Sequence, residues 1–406
     1  MARTVAELPK GCRITDHISL GVIATTFPLG KIKEILERTG KTSQRERDLP
    51  AHVVVYYIIA LALYMQSSYR EVLRCLLEGI QWLKRPATNV NVTGKSGISQ
   101  ARSRLGFLPL KQLHDEIVRP IGDRRTRGAW YRDWRLISMD GSTLDVADTE
   151  SNRKAFGKPK ASRGQTAYPQ VRFVSLVENG THVLFGTQMD SYSTGEVPLA
   201  EAAIEYLERG FLCLADRFFY GFELWRKAHS TGADLLWRIK KNIVLPDEKR
   251  LPDGSYLSRI YPSVKKRRHK AEGVAVRVIE YRLDGVEGSE EIYRLMTTIL
   301  DPDKAPAKEL AALYHERWEI ETAFDELKTH LRGPRIVLRS KTPVLVRQEF
   351  YGLVLAHFAV RALMHDAALM DDVDPDRLSF VHSVRVVRRK IPLFPAIPPG
   401  GAKSVS

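Results

Sequence analysis

The chain has 406 residues, with 63 Lys and Arg against 48 Asp and Glu, a net charge of +15 and a pI near 9.6. A surface this basic attracts a polyanion, so nucleic acid and anionic membrane are the candidate partners. The longest apolar run, residues 53–63, has 11 members, well under the roughly 18 to 20 that span a bilayer, and the N-terminus shows no charged segment, apolar stretch and cleavage site in series, so neither membrane insertion nor export is expected.

The length fits two or three domains. Cys12, Cys75 and Cys213 are odd in number and far apart, which speaks for a reducing, cytoplasmic compartment and against a disulfide framework or a zinc site. Residues 1–125 read as a helical domain, with apolar periodicity at 32–36 and 53–63 and a further candidate helix at 69–77. Residues 86–97 interrupt these helices. Gly94-Lys95-Ser96 has the look of a phosphate loop, but the earlier glycine is missing because position 89 is Asn89, so no nucleotide cofactor is expected. A helix follows over 96–105, capped by Ser96 or Ser99, with Arg102 and Arg104 turned outward to DNA. A helix-turn-helix and an ordinary bundle both fit this segment.

A β-region comes next. Residues 135–146 form an apolar, β-branched run in which Asp140 is followed by Gly141 and small hydroxylated residues. Strands at 171–177 and 183–189 are joined by Glu178-Asn179-Gly180-Thr181, whose Asn-Gly pair is a strong hairpin signal. Residues 195–210 read as a helix ending in glycine. Residues 211–215, FLCLA, form a short strand apolar on both faces that stops at Asp216. Asp216 reads as an acid opening onto the ligand crevice at the end of a buried strand, or as the N-cap of a helix starting at Arg217. A helix over 222–228 and a strand over 234–239 complete the run. Three strands, then alternating helices and strands, make a mixed sheet with helices packed on it.

Between residues 240 and 300 lie three more strand candidates, 256–261, 274–283 and 291–300, which read as a β-rich insertion over 241–295 whose last strand could return to the main sheet. Lys265, Lys266, Arg267 and Arg268 belong to a basic run, KKRRHK, expected as a loop in contact with phosphate. Trp237 and Trp318 suit either base stacking or the core.

The densest chemistry lies in YHERWEIETAFDELK. On a regular helix Tyr314, Arg317, Glu321 and Lys328 fall at about 0°, 300°, 340° and 320°, a single row. Leu313, Ile320, Phe324, Leu327 and Leu331 lie beside it at about 220° to 280°, while Glu316, Glu319 and Glu326 occupy the far, solvent side at about 120° to 200°. A long apolar helix over 347–364 follows, then basic residues 384–390 and a proline-rich stretch over 392–399 expected to be disordered.

The order of elements resembles the ribonuclease H-like fold, in which acids lie on the first strand, at the end of the fourth, and on a later helix. The chain is similar to DDE transposases of the bacterial IS-four type. Their signature of tyrosine, two residues, arginine, three residues, glutamate, six residues and lysine is met without a gap by Tyr314, Arg317, Glu321 and Lys328. Met139-Asp140-Gly141 and Asp216-Arg217-Phe218-Phe219-Tyr220-Gly221 resemble the two aspartate segments, at separations of 76 and 105 residues. Ile98-Ser99-Gln100-Ala101-Arg102 and residues 345–363 also resemble family segments.

The resemblance implies an α/β catalytic domain over 130–380 with a ribonuclease H-like mixed sheet flanked by helices, the insertion at 241–295, an N-terminal DNA-binding domain, and a basic tail over 381–406. Asp140, Asp216 and Glu321 are then the catalytic residues and the metal ligands. Three converging acids require divalent cations, and hard oxygen donors select Mg²⁺, with Mn²⁺ able to substitute. Tyr314, Arg317 and Lys328 become DNA contacts, and the partners are transposon inverted repeats and target DNA, held by a homodimer in a synaptic complex within the bacterial cytoplasm. A DNA-binding descendant that has lost catalysis and a structure-specific nuclease on the same fold are the alternatives.

Overall fold

The computed structural model describes residues 18–43, 49–65, 67–84, 94–161, 164–165, 167–282, 292–333 and 336–389. Helical periodicity governs the first third: α1 (Ile18–Thr26), α2 (Leu29–Arg38), α3 (Ala51–Leu63), α4 (Tyr69–Lys84), α5 (Lys95–Leu105) and α6 (Leu108–Ile117). In α2 the residues Ile32, Ile35 and Leu36 share one buried stripe. In α3 every residue from Val53 onward is buried, which is why that helix is apolar all round. Its tyrosines still place their hydroxyls: Tyr56 donates to Phe27 O at 2.8 Å and Tyr57 to Tyr69 O at 2.9 Å. Gly94 precedes α5 and no side chain caps it, so the expected roles of Ser96 and Ser99 are not realised. Residues 85–93, most of the expected interruption, lie outside the described residues, as does the proline-rich stretch at 392–399.

The β-region runs β1 (Trp130–Tyr131), β2 (Trp134–Asp145), α7 (Glu150–Phe156), β3 (Lys160–Ala161), β4 (Gly164–Gln165), β5 (Gln170–Glu178) and β6 (Val183–Ser191). It continues with α8 (Val197–Ala203), β7 (Phe211–Ala215), α9 (Phe222–Ser230), β8 (Asp234–Arg238), β9 (Lys249–Arg250), β10 (Tyr256–Ile260), α10 (Val264–Arg268), β11 (Val274–Tyr281) and β12 (Tyr293–Thr297). The helix expected over 195–210 is shorter, giving way to a 3-10 turn at Ile204–Tyr206. The basic run forms the short helix α10, capped by Ser263, and not a loop.

One sheet takes the order β6-β5-β2-β7-β8-β12-β11-β10-β9. β5 and β6 pair antiparallel, as do β2 and β5, whereas β2, β7 and β8 run parallel. In chain order the five main strands read third, second, first, fourth, fifth, the ribonuclease H-like arrangement. The strands of the expected insertion extend this same sheet: β12 pairs with β8, with Met296 opposite Trp237. β7 explains its own sequence, because Leu212 and Leu214 face one core while Phe211, Cys213 and Ala215 face the other. Trp237 is fully buried against the edge of Trp225, so it belongs to the core.

The hairpin turn fits its sequence. Gly180 sits at φ +77°, and a Cβ there would meet Arg127 O at 2.2 Å, so only glycine is accommodated. Asn179 joins the turn to its surroundings: its Oδ1 accepts from Ser138 Oγ and its Nδ2 donates to Glu316 O, both at 2.8 Å.

The last third carries α11 (Ala307–Leu313), a 3-10 turn (Tyr314–Trp318), α12 (Glu319–Asp325), a π-helical stretch (Glu326–Leu331), α13 (Pro343–Met370), a 3-10 turn (Pro375–Arg377) and α14 (Phe380–Arg389). By length and composition α13 could cross a membrane, yet it packs among α1, α3, α6, α14 and β6 as the central core helix. The signature segment is thus not one regular helix. It tightens and then widens, and π-helical turns concentrate at functional sites. The widening overturns one expectation: Glu326 is not on the solvent face but buried, receiving hydrogen bonds from Arg361 and facing His357 and His182. Glu319 is partly buried and only Glu316 is exposed.

Candidate active site

The sheet register sets the first two acids side by side. Met139 of β2 lies opposite Ala215 at the end of β7, so Asp140 and Asp216 follow on neighbouring parallel strands, about 4.8 Å apart in the backbone. Asp140 Oδ1 accepts from Gly141 N at 2.7 Å and its Oδ2 accepts from Arg317 Nη1 at 3.0 Å. Asp216 Oδ1 accepts from Phe218 N at 2.8 Å. That bond closes a turn and does not cap a helix, because α9 begins only at Phe222.

The signature segment crosses over these strand ends. Tyr314 donates its hydroxyl to Ala215 O at 3.3 Å, Arg317 reaches Asp140, and Lys328 Nζ donates to Ser142 Oγ at 2.9 Å. Glu321 is exposed between Arg317 and Lys328. Tyr314 is buried, which corrects its expected contact with DNA: its ring and hydroxyl instead fix the end of β7. Burial also raises its hydroxyl above the ordinary tyrosine value.

The acids of this cluster are in electrostatic tension. Burial raises the Asp140 carboxyl above the usual carboxylate range; the Gly141 N–H and the Arg317 guanidinium oppose the rise, and the charge of Asp216 adds to it. Glu321, though exposed, is partly desolvated by its neighbours, which raises its carboxyl, with Arg317 opposing and Asp140 adding. A fourth acid, which sequence reasoning missed, joins them. Glu196 precedes α8, and burial raises its carboxyl while Arg172 opposes and both Asp140 and Asp216 add to the shift. It lies so close that a Cβ on Gly141 would sit 2.8 Å from its carboxyl carbon. The glycine after Asp140 was the one trace of this contact in the sequence. The donor set is all carboxylate oxygen, and the mutual repulsion is what divalent cations relieve, so these residues fit hard divalent ions.

Two exposed aromatics flank the cluster, Phe218 at 56% and Trp318 at 54% exposure. Trp318 also lies under the Arg317 guanidinium, 4.9 Å from the ring centre. Phe218 was not singled out from the sequence, where it sits in an aromatic run with no periodicity.

The other expected DNA contacts lie elsewhere. Arg102 is not exposed: at 3% exposure it donates to Gln348 Oε1 at 2.8 Å and Ser340 Oγ at 3.0 Å, tying α5 to α13. Arg104 is exposed on α5. Lys265, Lys266, Arg267 and Arg268 lie on α10 beyond β10, five strand positions from β2 and so roughly 20 Å or more from Asp140. Of these Lys266 ion-pairs with Glu272.

Residues 132–359 match the family described as Transposase DDE domain, and residues 17–115 match Insertion element 4 transposase N-terminal. The chain belongs to the DDE transposases, of the IS4 type. It is 28% identical over 375 residues to the transposase InsG for insertion sequence element IS4 of Escherichia coli K12, covering 91% of this chain and 82% of that one. It is 23% identical over 228 residues to the putative transposase InsZ of the same organism, covering 55% and 73%. A cryo-EM structure of the piggyBac transposase synaptic complex with hairpin DNA aligns over 94% of this chain and 81% of that one, at 11% identity and a TM-score of 0.48. The transposase therefore binds DNA, cleaves and transfers it, and uses divalent metal.

Proposed function

We propose that Asp140, Asp216 and Glu321 hold two Mg²⁺ ions, replaceable by Mn²⁺, at which transposon ends are nicked and then joined to target DNA. The observation that carries this reading is the register that seats Asp140 beside Asp216, with Glu321 sharing the field of Asp140 and Arg317. When bound, such a pair of ions activates water or a 3′-hydroxyl on one side of a phosphodiester and stabilises the leaving oxygen on the other. Gly141 N–H and Arg317 hold the Asp140 carboxylate in a fixed orientation, and Glu196 adds negative charge from the α8 side.

Arg317 and Lys328 are the phosphate contacts in this proposal. Arg317 Nε is buried with no hydrogen-bond partner among the described residues, a donor for a phosphate oxygen. Lys328 uses one of its three N–H groups on Ser142. Trp318 and Phe218, exposed at the rim, suit stacking on an unpaired base. Arg104 on α5 and Arg385 on α14, both exposed, extend the basic surface along flanking duplex.

Each chain supplies one carboxylate set, while excision and insertion must keep two ends together, so the active unit is a dimer of chains on two inverted repeats. The test is the mass of the complex that cleaves end DNA in Mg²⁺. Two chains with two ends, and no cleavage once the metal is chelated, are expected. A fully active complex of one chain on one end, or cleavage in excess chelator, overturns the proposal.

A further inference from the structure

Behind the helix that carries Glu321, three side chains from three elements converge at a place separate from the catalytic acids. His182 lies in the turn between β5 and β6, Glu319 opens α12, and Asp376 lies in the 3-10 turn after α13. His182 Nε2 is 3.3 Å from Asp376 Oδ1 and 3.8 Å from Glu319 Oε2, and the three donor atoms all lie within 4.8 Å of one another. Ligand atoms on a tetrahedral zinc ion, each about 2.1 Å from the metal, stand about 3.4 Å apart. The observed spacing needs little adjustment to meet that geometry.

The histidine gives the second, independent observation. His182 is only 4% exposed, and its buried Nε2, though it faces the two carboxylates, makes no hydrogen bond among the described residues, a state that favours a bound ion there. Its other ring nitrogen, Nδ1, stands 3.3 Å from Glu326 Oε1, with Arg361 Nη2 against the same atom. With the ring proton on Nδ1 and donated to Glu326, the Nε2 lone pair faces Glu319 and Asp376, as histidine ligands are oriented at metal sites; Arg361 Nη2 then donates to Glu326 and not to the ring.

We propose that His182, Glu319 and Asp376 form a second metal site that takes a divalent transition-metal ion, zinc by its one-nitrogen, two-oxygen donor set, with water as the fourth ligand on the open Asp376 side. It is distinct from the catalytic ions. Its place two residues before Glu321 makes it a clamp: the ion joins the β5–β6 turn and the turn after α13 to the start of α12, fixing the approach of Glu321 to Asp140. A histidine–carboxylate site built from distant segments leaves no spacing to read in the sequence.

The site is tested with ZnCl₂ alone on the full chain carrying Asp140→Ala and Asp216→Ala, which weakens the catalytic cluster. That protein is expected to retain one zinc per chain after dialysis and to melt at a higher temperature with zinc than without. Adding Asp376→Asn, at a half-exposed position, is expected to weaken zinc binding at least tenfold and to abolish the zinc-dependent rise while leaving the metal-free melting temperature unchanged. His182→Gln on the same background is expected to weaken zinc binding likewise, with a lower metal-free melting temperature because Glu326 loses a hydrogen-bond partner. Zinc affinity changed less than tenfold by both substitutions, or no zinc retained by the starting protein, overturns the proposal in favour of a proton-bridged cluster.

Discussion

Two acids of residues 314–331, Glu321 toward the sheet and Glu326 toward α13, are in opposite states. Toward the sheet, Glu321 and its neighbours Asp140 and Glu196 are raised above the ordinary carboxylate range by desolvation, with the charge of Asp216 adding at Asp140 and Glu196 and that of Asp140 adding at Glu321 and Glu196. Toward α13, burial alone would raise Glu326, yet hydrogen bonds from His182 and His357 and the charge of Arg361 overcome it and hold Glu326 well below its ordinary value. An acid in the second state is already paid for by its partners and anchors the fold. Acids in the first state wait for a cation, which is the signature of function.

The largest effect that tests this contrast is on stability. Glu326→Gln leaves Arg361 buried without its counter-charge, and urea unfolding should show a loss of about 3–5 kcal/mol. Asp140→Asn should cause no loss in metal-free protein at neutral pH. The signs follow from linkage. A carboxyl depressed in the folded state stabilises it above the unfolded pKa, about 4.3 for glutamate, and that contribution drains away as pH falls toward the folded value. A carboxyl raised in the folded state does the reverse, weakening the fold as pH climbs past the unfolded value. An Asp140→Asn protein as destabilised as Glu326→Gln would erase the distinction between the two sides.

A smaller effect probes the fourth acid. Glu196→Gln is expected to raise the Mg²⁺ concentration needed for half-maximal cleavage about 10- to 100-fold, the range seen when support of a metal site is removed. End binding should stay the same. An unchanged Mg²⁺ dependence would return Glu196 to a surface helix start that happens to touch Gly141.

The smallest effect belongs to the cations of the row. Arg317→Gln and Lys328→Gln should each lower the salt slope of end binding by about one phosphate contact. Unchanged slopes in both would mean that these side chains act only within the protein, on Asp140 and Ser142.

What the sequence disclosed was local. The run at 211–215 ends at Asp216 because a strand buried on both faces must stop where a charge begins, and Asn179-Gly180 marks a turn because only glycine fits there. Individual strands at 256–260, 274–281 and 293–297 were equally legible, but not that they prolong the main sheet, since strand pattern does not name its partner. Long-range partners hid the rest. Arg102 reads as a surface residue until Gln348 and Ser340 are brought to it, and Glu326 reads as outward until the π-helical stretch turns it to Arg361. Glu196 came to the site through a fold contact with Gly141 that no spacing rule predicts.

The central claim is that Asp140, Asp216 and Glu321 serve the chemistry and not the fold. The most direct measurement is single-turnover nicking of transposon-end DNA in Mg²⁺ by Asp140→Asn, Asp216→Asn and Glu321→Gln proteins, with end binding and melting temperature measured on the same samples. Each variant is expected to bind ends and melt like the parent while nicking falls at least about a thousandfold. Nicking at the parental rate by any one of them would contradict its assignment.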